Sequence, residues 1–224
     1  LDPDLVSEAL AHARENAAFV EPDDAADLPT ADDLQSAPVV EMNLWSDALV
    51  GVSLDAKREI ALELARQTLE ADERVDRVVP TDYDDTAIEA ALFSTQGTDR
   101  QWRRTQCAVT TNAIAGDGDR EYEGYGFSVA DNFAELDLAV AAADAARRAT
   151  QLFGATPLQS CRIPVVFDPL VSVSLLGLYS AACNGEAIVK GMSMFADRLG
   201  EVVAADCVTL RDDATNLASY PPAP

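Results

Sequence analysis

The sequence predicts an α+β fold, an antiparallel sheet with covering helices, and three observations carry that prediction. Two segments, 53–72 and 135–154, repeat apolar residues at helical spacing. The stretch between them, about 74–132, loses that period and gains aromatic and β-branched residues. Inside it, "STQGTDR" (94–100) and "AGDGDR" (115–120) carry the Gly and Asp of hairpin turns, so the strands they join are antiparallel neighbours. Apolar residues make up 48% of the 224, enough for a sizeable core.

The elements follow in order. Residues 3–18, "PDLVSEALAHARENAA", make a first helix with Leu5, Ala9, His12 and Ala13 on one stripe. Residues 21–52 are rich in Asp and Pro and are expected to be a surface excursion with no core element. "SLDAKREIALELARQTLEAD" is the clearest helix of the first half. Ser53 caps it, and Ala61, Leu64, Ala65, Thr68 and Leu69 form its apolar face. Four strands with turns are expected next, including one around 101–113 and one around 120–130. Asp131 or Asn132 then caps "ELDLAVAAADAARRATQLFG". Its stripe of Leu138, Ala141, Ala142, Ala145, Ala149 and Leu152 is mostly small, which lets a helix lie close to a sheet. Gly154 is placed to end it. "IPVVF" (163–167) is expected as a buried strand. Asp168-Pro169 is a cap followed by a proline at the first helical position. Helix 170–183 is apolar nearly all round, which predicts burial, and "DCVTL" (206–210) is expected as a last strand.

Charge narrows the function. There are 39 acids against 16 bases, a formal charge of -23, and Lys57 and Lys190 are the only lysines. Such a chain repels nucleic acid and anionic membranes, so neither is an expected partner. The acids are spread along the whole length, which suits a solvated surface in concentrated salt, as in halophiles. A DNA-mimicking inhibitor is the sharper alternative. No apolar run approaches the roughly 18–20 residues that cross a bilayer. "LDPDLVSEAL" has no signal-peptide pattern, and Cys107, Cys161, Cys183 and Cys207 show no metal or disulfide spacing. Reduced, mostly buried thiols in the cytoplasm are expected.

Candidate chemistry is sparse. Asp117, Asp119, Glu121 and Glu123 alternate as in a faint calcium loop, but a hairpin running into a half-exposed strand explains them better. Asp84-Asp85 and Asp212-Asp213 are carboxylate pairs of the kind that acid-rich chains produce by chance. His12 stands alone as a helix residue, and Trp102, Arg103 and Arg104 fit a strand better than a nucleic-acid patch. From residue chemistry alone, the chain is an acidic α+β domain.

The second half carries more. "REYEGYGFSVADNFAELD", "AARRATQLFGATPLQSCRIPVVFDPLVSVSLLG" and "GMSMFADRLGEVVAADCVTLRDD" resemble the TldD/PmbA family, once called modulators of DNA gyrase. The resemblance is strongest over about 119–213 and thins over the first hundred residues. It implies the N-terminal and middle region of a PmbA/TldD-like fold. Three segments are expected: 1–52 as a helix and acidic excursion, 53–213 as the family-like α+β region, and 214–224 as an irregular tail. The family's C-terminal β domain is expected to be absent, as if the chain were cut from a longer one.

The resemblance also implies a function. One kind of family subunit, TldD-like, carries an HExxxH zinc motif on the helix after the "VVFDP"-like strand. Aligned on "LLG", those positions are Gly177, Leu178 and Ala182 here. That implies a non-catalytic PmbA/TldE-like subunit with no metal or catalytic residue of its own. Zinc is expected in a TldD-like partner, with heterodimer formation or self-association, and with small or unfolded peptides as substrates. The alternative is a non-enzymatic binding or regulatory protein of the gyrase-modulator type.

Overall fold

The structure is a computed structural model, and it describes residues 2–23, 28–36 and 43–213. In chain order the elements are α1 (Pro3–Ala17), α2 (Ala31–Ser36), α3 (Asp47–Val50), α4 (Leu54–Glu70), β1 (Val75–Phe93), β2 (Asp99–Asp117) and β3 (Arg120–Ala130). A 3-10 turn at Phe133–Glu135, then α5 (Leu138–Thr150), α6 (Pro169–Ala182) and α7 (Gly185–Val189), complete them. The chain divides into two units, Pro38–Ile163 and a second that joins Leu1–Ala37 to Pro164–Asp213.

The first unit holds the sheet, in the order β1-β2-β3, antiparallel throughout. Its two turns fall where the Gly and Asp clusters stand, and Gly97 and Gly118 take positive φ there. Three strands form where four were expected, because β1 and β2 each run 19 residues without a break. Pro80 does not end β1. That strand lies at the sheet edge, where a missing N–H costs no ladder bond, and the register shifts between Val78 and Thr81 to absorb it.

One face of the sheet is packed. Thr105, Cys107, Val109, Thr111, Ala113 and Ala115 alternate along β2 and are all buried. α4 reaches this face through Leu64 and Thr68. Thr68 Oγ1 donates to the Leu64 carbonyl at 2.8 Å and lies 3.2 Å from Thr111 Oγ1, so the buried hydroxyls are satisfied. α5 lies closer still. Ala141, Ala142, Ala145, Ala146 and Ala149 are all buried, opposite glycines of β3. A Cβ on Gly126 would stand 1.9 Å from the Ala141 carbonyl oxygen, and one on Gly124 2.0 Å from that of Ala145.

Local capping follows the sequence closely. Ser53 Oγ accepts from Ala56 N at 3.2 Å, and Asp168 Oδ1 from Leu170 N at 2.9 Å. At α5 the cap moves. Asn132 caps the 3-10 turn, and Asp137 caps the helix by accepting from Val140 N at 2.9 Å. Gly154, at φ 69°, lies just past the Gln151 cap.

Other expectations are corrected. The acidic stretch 21–52 contributes a core residue after all, since α3 buries Leu49 against Cys107 and Ala130. Residues 163–167 and 206–210 form no strand, and Val166 is 98% exposed. A strand needs a neighbour to accept its ladder, and no described strand pairs with either segment. α6 buries none of its residues, although it is apolar nearly all round. Within its unit the following segment supplies one buried side chain, Phe195, whose ring stacks on Tyr179 at 6.2 Å. α1 is likewise fully exposed, His12 included. Lys190 ties this unit together by pairing with Asp23 at 2.6 Å and Glu186 at 2.7 Å.

Candidate functional site

The positions singled out by the zinc-motif alignment lie on α6. Asp168 fixes the start of the helix and Pro169 its first turn, so Gly177, Leu178 and Ala182 fall in its second half. Gly177 faces open space, because an added Cβ would meet nothing within 4 Å. Leu178 is 69% exposed. Ala182 is half-buried, and its carbonyl accepts from the Ser193 hydroxyl, which in turn accepts from Phe195 N at 3.0 Å.

A hydrogen, an isobutyl group and a methyl group have no lone pair to give a zinc ion and none to take a proton. These residues do not fit the metal of an HExxxH site. Among the described residues, no group of three or more His, Cys, Asp or Glu is placed to hold a metal ion.

The other candidates are kept apart. Asp84 and Asp85 point to opposite faces of β1, opposite Ala108 and Cys107 respectively. Asp119, Glu121 and Glu123 follow a hairpin turn, and Glu121 is held by Arg77 at 2.7 Å. This guanidinium lowers the Glu121 carboxyl below its usual range. Asp213 pairs with Arg211 at 3.8 Å.

A cluster that sequence reasoning missed lies between α4 and β1. Lys57 is ion-paired with Asp85, and Tyr83 Oη donates to Asp85 Oδ2 at 3.1 Å. Leu54, Lys57, Arg58, Ala61, Tyr83, Asp84 and Asp85 line an open cleft there. Burial, then the hydrogen bond to Asp85, pushes the Tyr83 phenol well above its ordinary value. Lys57 is one of two lysines in a chain that otherwise uses arginine, the only signal that marks it in the sequence. The ion pair fastens α4 to the sheet edge.

Of the four thiols only Cys107 is buried; Cys161, Cys183 and Cys207 are exposed. This corrects the expectation of mostly buried cysteines. Burial, then the charges of Asp85, Asp131 and Glu135, pushes the Cys107 thiol up to about 11. A thiol-reactive dye at mildly alkaline pH is therefore expected to label three cysteines quickly and the fourth only after denaturant. Rapid labelling of all four in the folded protein would contradict the packing of α3 on the sheet.

No described helix is long and apolar enough to cross a membrane.

Comparison with known proteins follows this geometry. Residues 48–153 match the PmbA/TldA metallopeptidase central domain, and residues 160–223 the PmbA/TldA metallopeptidase C-terminal domain. A metalloprotease of Methanocaldococcus jannaschii is 27% identical over 172 residues, covering 73% of this chain and 36% of the relative. A metalloprotease PmbA homolog of Haemophilus influenzae is 21% identical over 213 residues, covering 95% of this chain and 47% of the relative. The chain thus spans less than half the length of these relatives. Among solved structures, a putative modulator of DNA gyrase from Bacteroides thetaiotaomicron shares the fold. Its TM-score is 0.79 at 21% identity, over 92% of this chain and 47% of the other. TldE from Thermococcus kodakarensis does so at a TM-score of 0.56 and 17% identity, over 88% and 44%. With two domain models of one family matched in succession along most of its length, this α+β chain belongs to the PmbA/TldD metallopeptidase family.

Proposed function

We propose that the chain is a non-catalytic, PmbA/TldE-like subunit of a TldD/PmbA-type metallopeptidase complex. That complex cleaves small or unfolded peptides, and its zinc site belongs to a TldD-like partner. The reading is carried by the donor chemistry of α6: with the chain aligned to the family on "LLG", Gly177, Leu178 and Ala182 take the positions of two metal ligands and a general base, and none of the three side chains has a donor atom. Family membership supports the reading, as do the metalloprotease names of the relatives and the TldE name of one structural neighbour. The role of this chain is then to bind the partner and help enclose the space that peptides enter. The charge of -23 supports a setting of concentrated salt, where self-repulsion is screened.

The test is metal content together with complementation. The purified chain, after mild dialysis, is expected to hold well under one zinc per molecule and to leave an unstructured peptide intact. Mixed with the HExxxH-bearing family member of the same cell, it is expected to give cleavage. One tightly held zinc per chain, or cleavage by this chain alone, would overturn the assignment. Equal cleavage by the motif-bearing chain with and without this one would remove its role in the complex.

A further inference from the structure

β3 pairs with β2 only from Cys107 to Asp117, so the far halves of β1 and β2 continue past it as a two-stranded arm. Even-numbered residues of the two strands lie opposite one another there, on the face away from the buried Thr105 and Cys107. Along β2 this face presents Arg100, Trp102 and Arg104. Along β1 it presents Leu92, Ala90 and Ile88, opposite them in that order. A row of two cations with a ring between them thus runs beside an apolar row. Leu92 is 53% exposed and Arg100 is exposed, while Trp102, Arg104, Ile88 and Ala90 are half-buried.

Two features set this face apart. Its charge runs against the rest of the chain. From Thr86 to Leu92 on β1, and from Arg100 to Gln106 on β2, it carries no carboxylate, in a chain with 39 acids and 16 bases. Along the same face of β1, carboxylates begin only at Asp84 and Asp82. Its cations are also uncommitted. Arg100 and Arg104 take part in no ion pair among the described residues, and Arg100 donates only to the neighbouring Asp99 carbonyl, at 3.1 Å. Lys57, Arg66, Arg74, Arg77 and Lys190, by contrast, are all paired with acids. A guanidinium is a rigid fork matched to a carboxylate, so two of them left open beside an apolar row form a surface that selects its partner by charge.

We propose that this arm binds acidic peptides in extended form, with carboxylates on Arg100 and Arg104 and apolar side chains over Trp102, Leu92, Ala90 and Ile88. The inference rests on the reading above that peptides reach this subunit, and it names their class. Residues four apart along a strand stand about 13 Å apart. A peptide with Asp or Glu at every fourth position, and apolar residues between, therefore matches both rows at once. Each carboxylate meets a fork of N–H groups, and the Trp102 ring supplies an apolar platform between them. The other acids of the chain repel such a peptide at long range. Concentrated salt shortens that repulsion, with a screening length of about 3 Å at 1 M, and leaves the direct contacts at the arm. Nucleic acid fits the face less well, because its phosphates follow one another without a gap and would run on to Asp84 and Asp82.

Binding measured without cleavage tests it, so its outcome is separate from that of the metal and complementation experiments. The full chain is titrated, at about 1 M salt, into a dye-labelled peptide with Asp at every fourth position and Ala or Val between. A second peptide carries Asn in place of each Asp, and fluorescence anisotropy reads both. The chain is expected to bind the Asp peptide at least about fivefold more tightly. Arg100→Gln with Arg104→Gln is expected to abolish that preference, with circular dichroism to confirm folding. Arg100→Gln alone, at an exposed position, is expected to lose part of it and gives the reading if the double variant does not fold. Arg58→Gln with Arg120→Gln removes the same charge from α4 and from the β2-β3 turn, and is expected to keep the preference. Equal affinity for the two peptides overturns the proposal, as does a preference that survives the loss of both arm arginines. A preference lost equally in the Arg58 and Arg120 variant overturns it too, since net charge would then be the cause. So does tighter binding of an oligothymidylate that depends on Arg100 and Arg104, which would assign the face to nucleic acid.

Discussion

Gly126→Ala is expected to cost about 3 kcal/mol and to lower the thermal midpoint by roughly 6–12 °C. The cause is steric. The new methyl would stand 1.9 Å from the Ala141 carbonyl oxygen and 2.9 Å from Ala145 N, both backbone atoms of α5. Backbone cannot turn aside as a flexible side chain would. The helix must lift off β3, which opens the buried contacts of Ala141, Ala145 and Ala149 together. Gly177→Ala is the control. It lies in a helix with nothing within 4 Å of its new methyl, so it is expected to be neutral or to stabilise by up to about 1 kcal/mol. Thermal unfolding followed by circular dichroism reads both. If Gly126→Ala melts with the parent, α5 does not lie on β3 at this distance.

Leu64→Ala comes next, with an expected loss of about 4 kcal/mol. Leu64 is 0% exposed and packs with Val109, Ala141 and Ala142, so it is the only long side chain fully buried in its cluster. It joins α4 to β2 and α5 at one point. The residues buried with it, Val109, Ala141 and Ala142, are too short to fill the space left beside an alanine, which puts the cost toward the upper part of the usual range. Leu62, on the same helix but 61% exposed, is expected to tolerate alanine almost without effect. Urea titration of the two variants gives the comparison. Equal midpoints would mean that α4 does not dock through Leu64.

The helix α4 shows why some of this was legible. Ser53 caps its own helix through an atom three residues away, and the stripe that includes Leu64 and Thr68 repeats at the helical period. Both signals are local, so they survive without knowledge of the rest of the chain. The hairpin turns are equally local, and antiparallel pairing of β2 with β3 followed from them. The alanine stripe of α5 announced a close approach to a sheet, but not the strand it would meet. Gly124 and Gly126, its counterparts, carry no mark in the sequence that separates them from turn glycines.

The misses share one cause. "IPVVF" has strand composition, and α6 has the apolar surface of a core helix. Whether such segments become a ladder or a core depends on surfaces brought from far along the chain. Val109 and the α5 alanines provide one for Leu64, while the described residues around α6 provide little beyond Phe195. The Lys57–Asp85–Tyr83 cluster depends in the same way on a helix and a strand meeting. The sequence by itself determined the caps of α4 and α6, the hairpin turns, the α+β class and the family, because caps, turn residues and periodicity act over a few neighbouring residues. Only the tertiary structure decided which apolar stripes are buried, which face of the sheet stays open and which charges find partners. Those outcomes are set by contacts between segments whose separation along the chain no local pattern records.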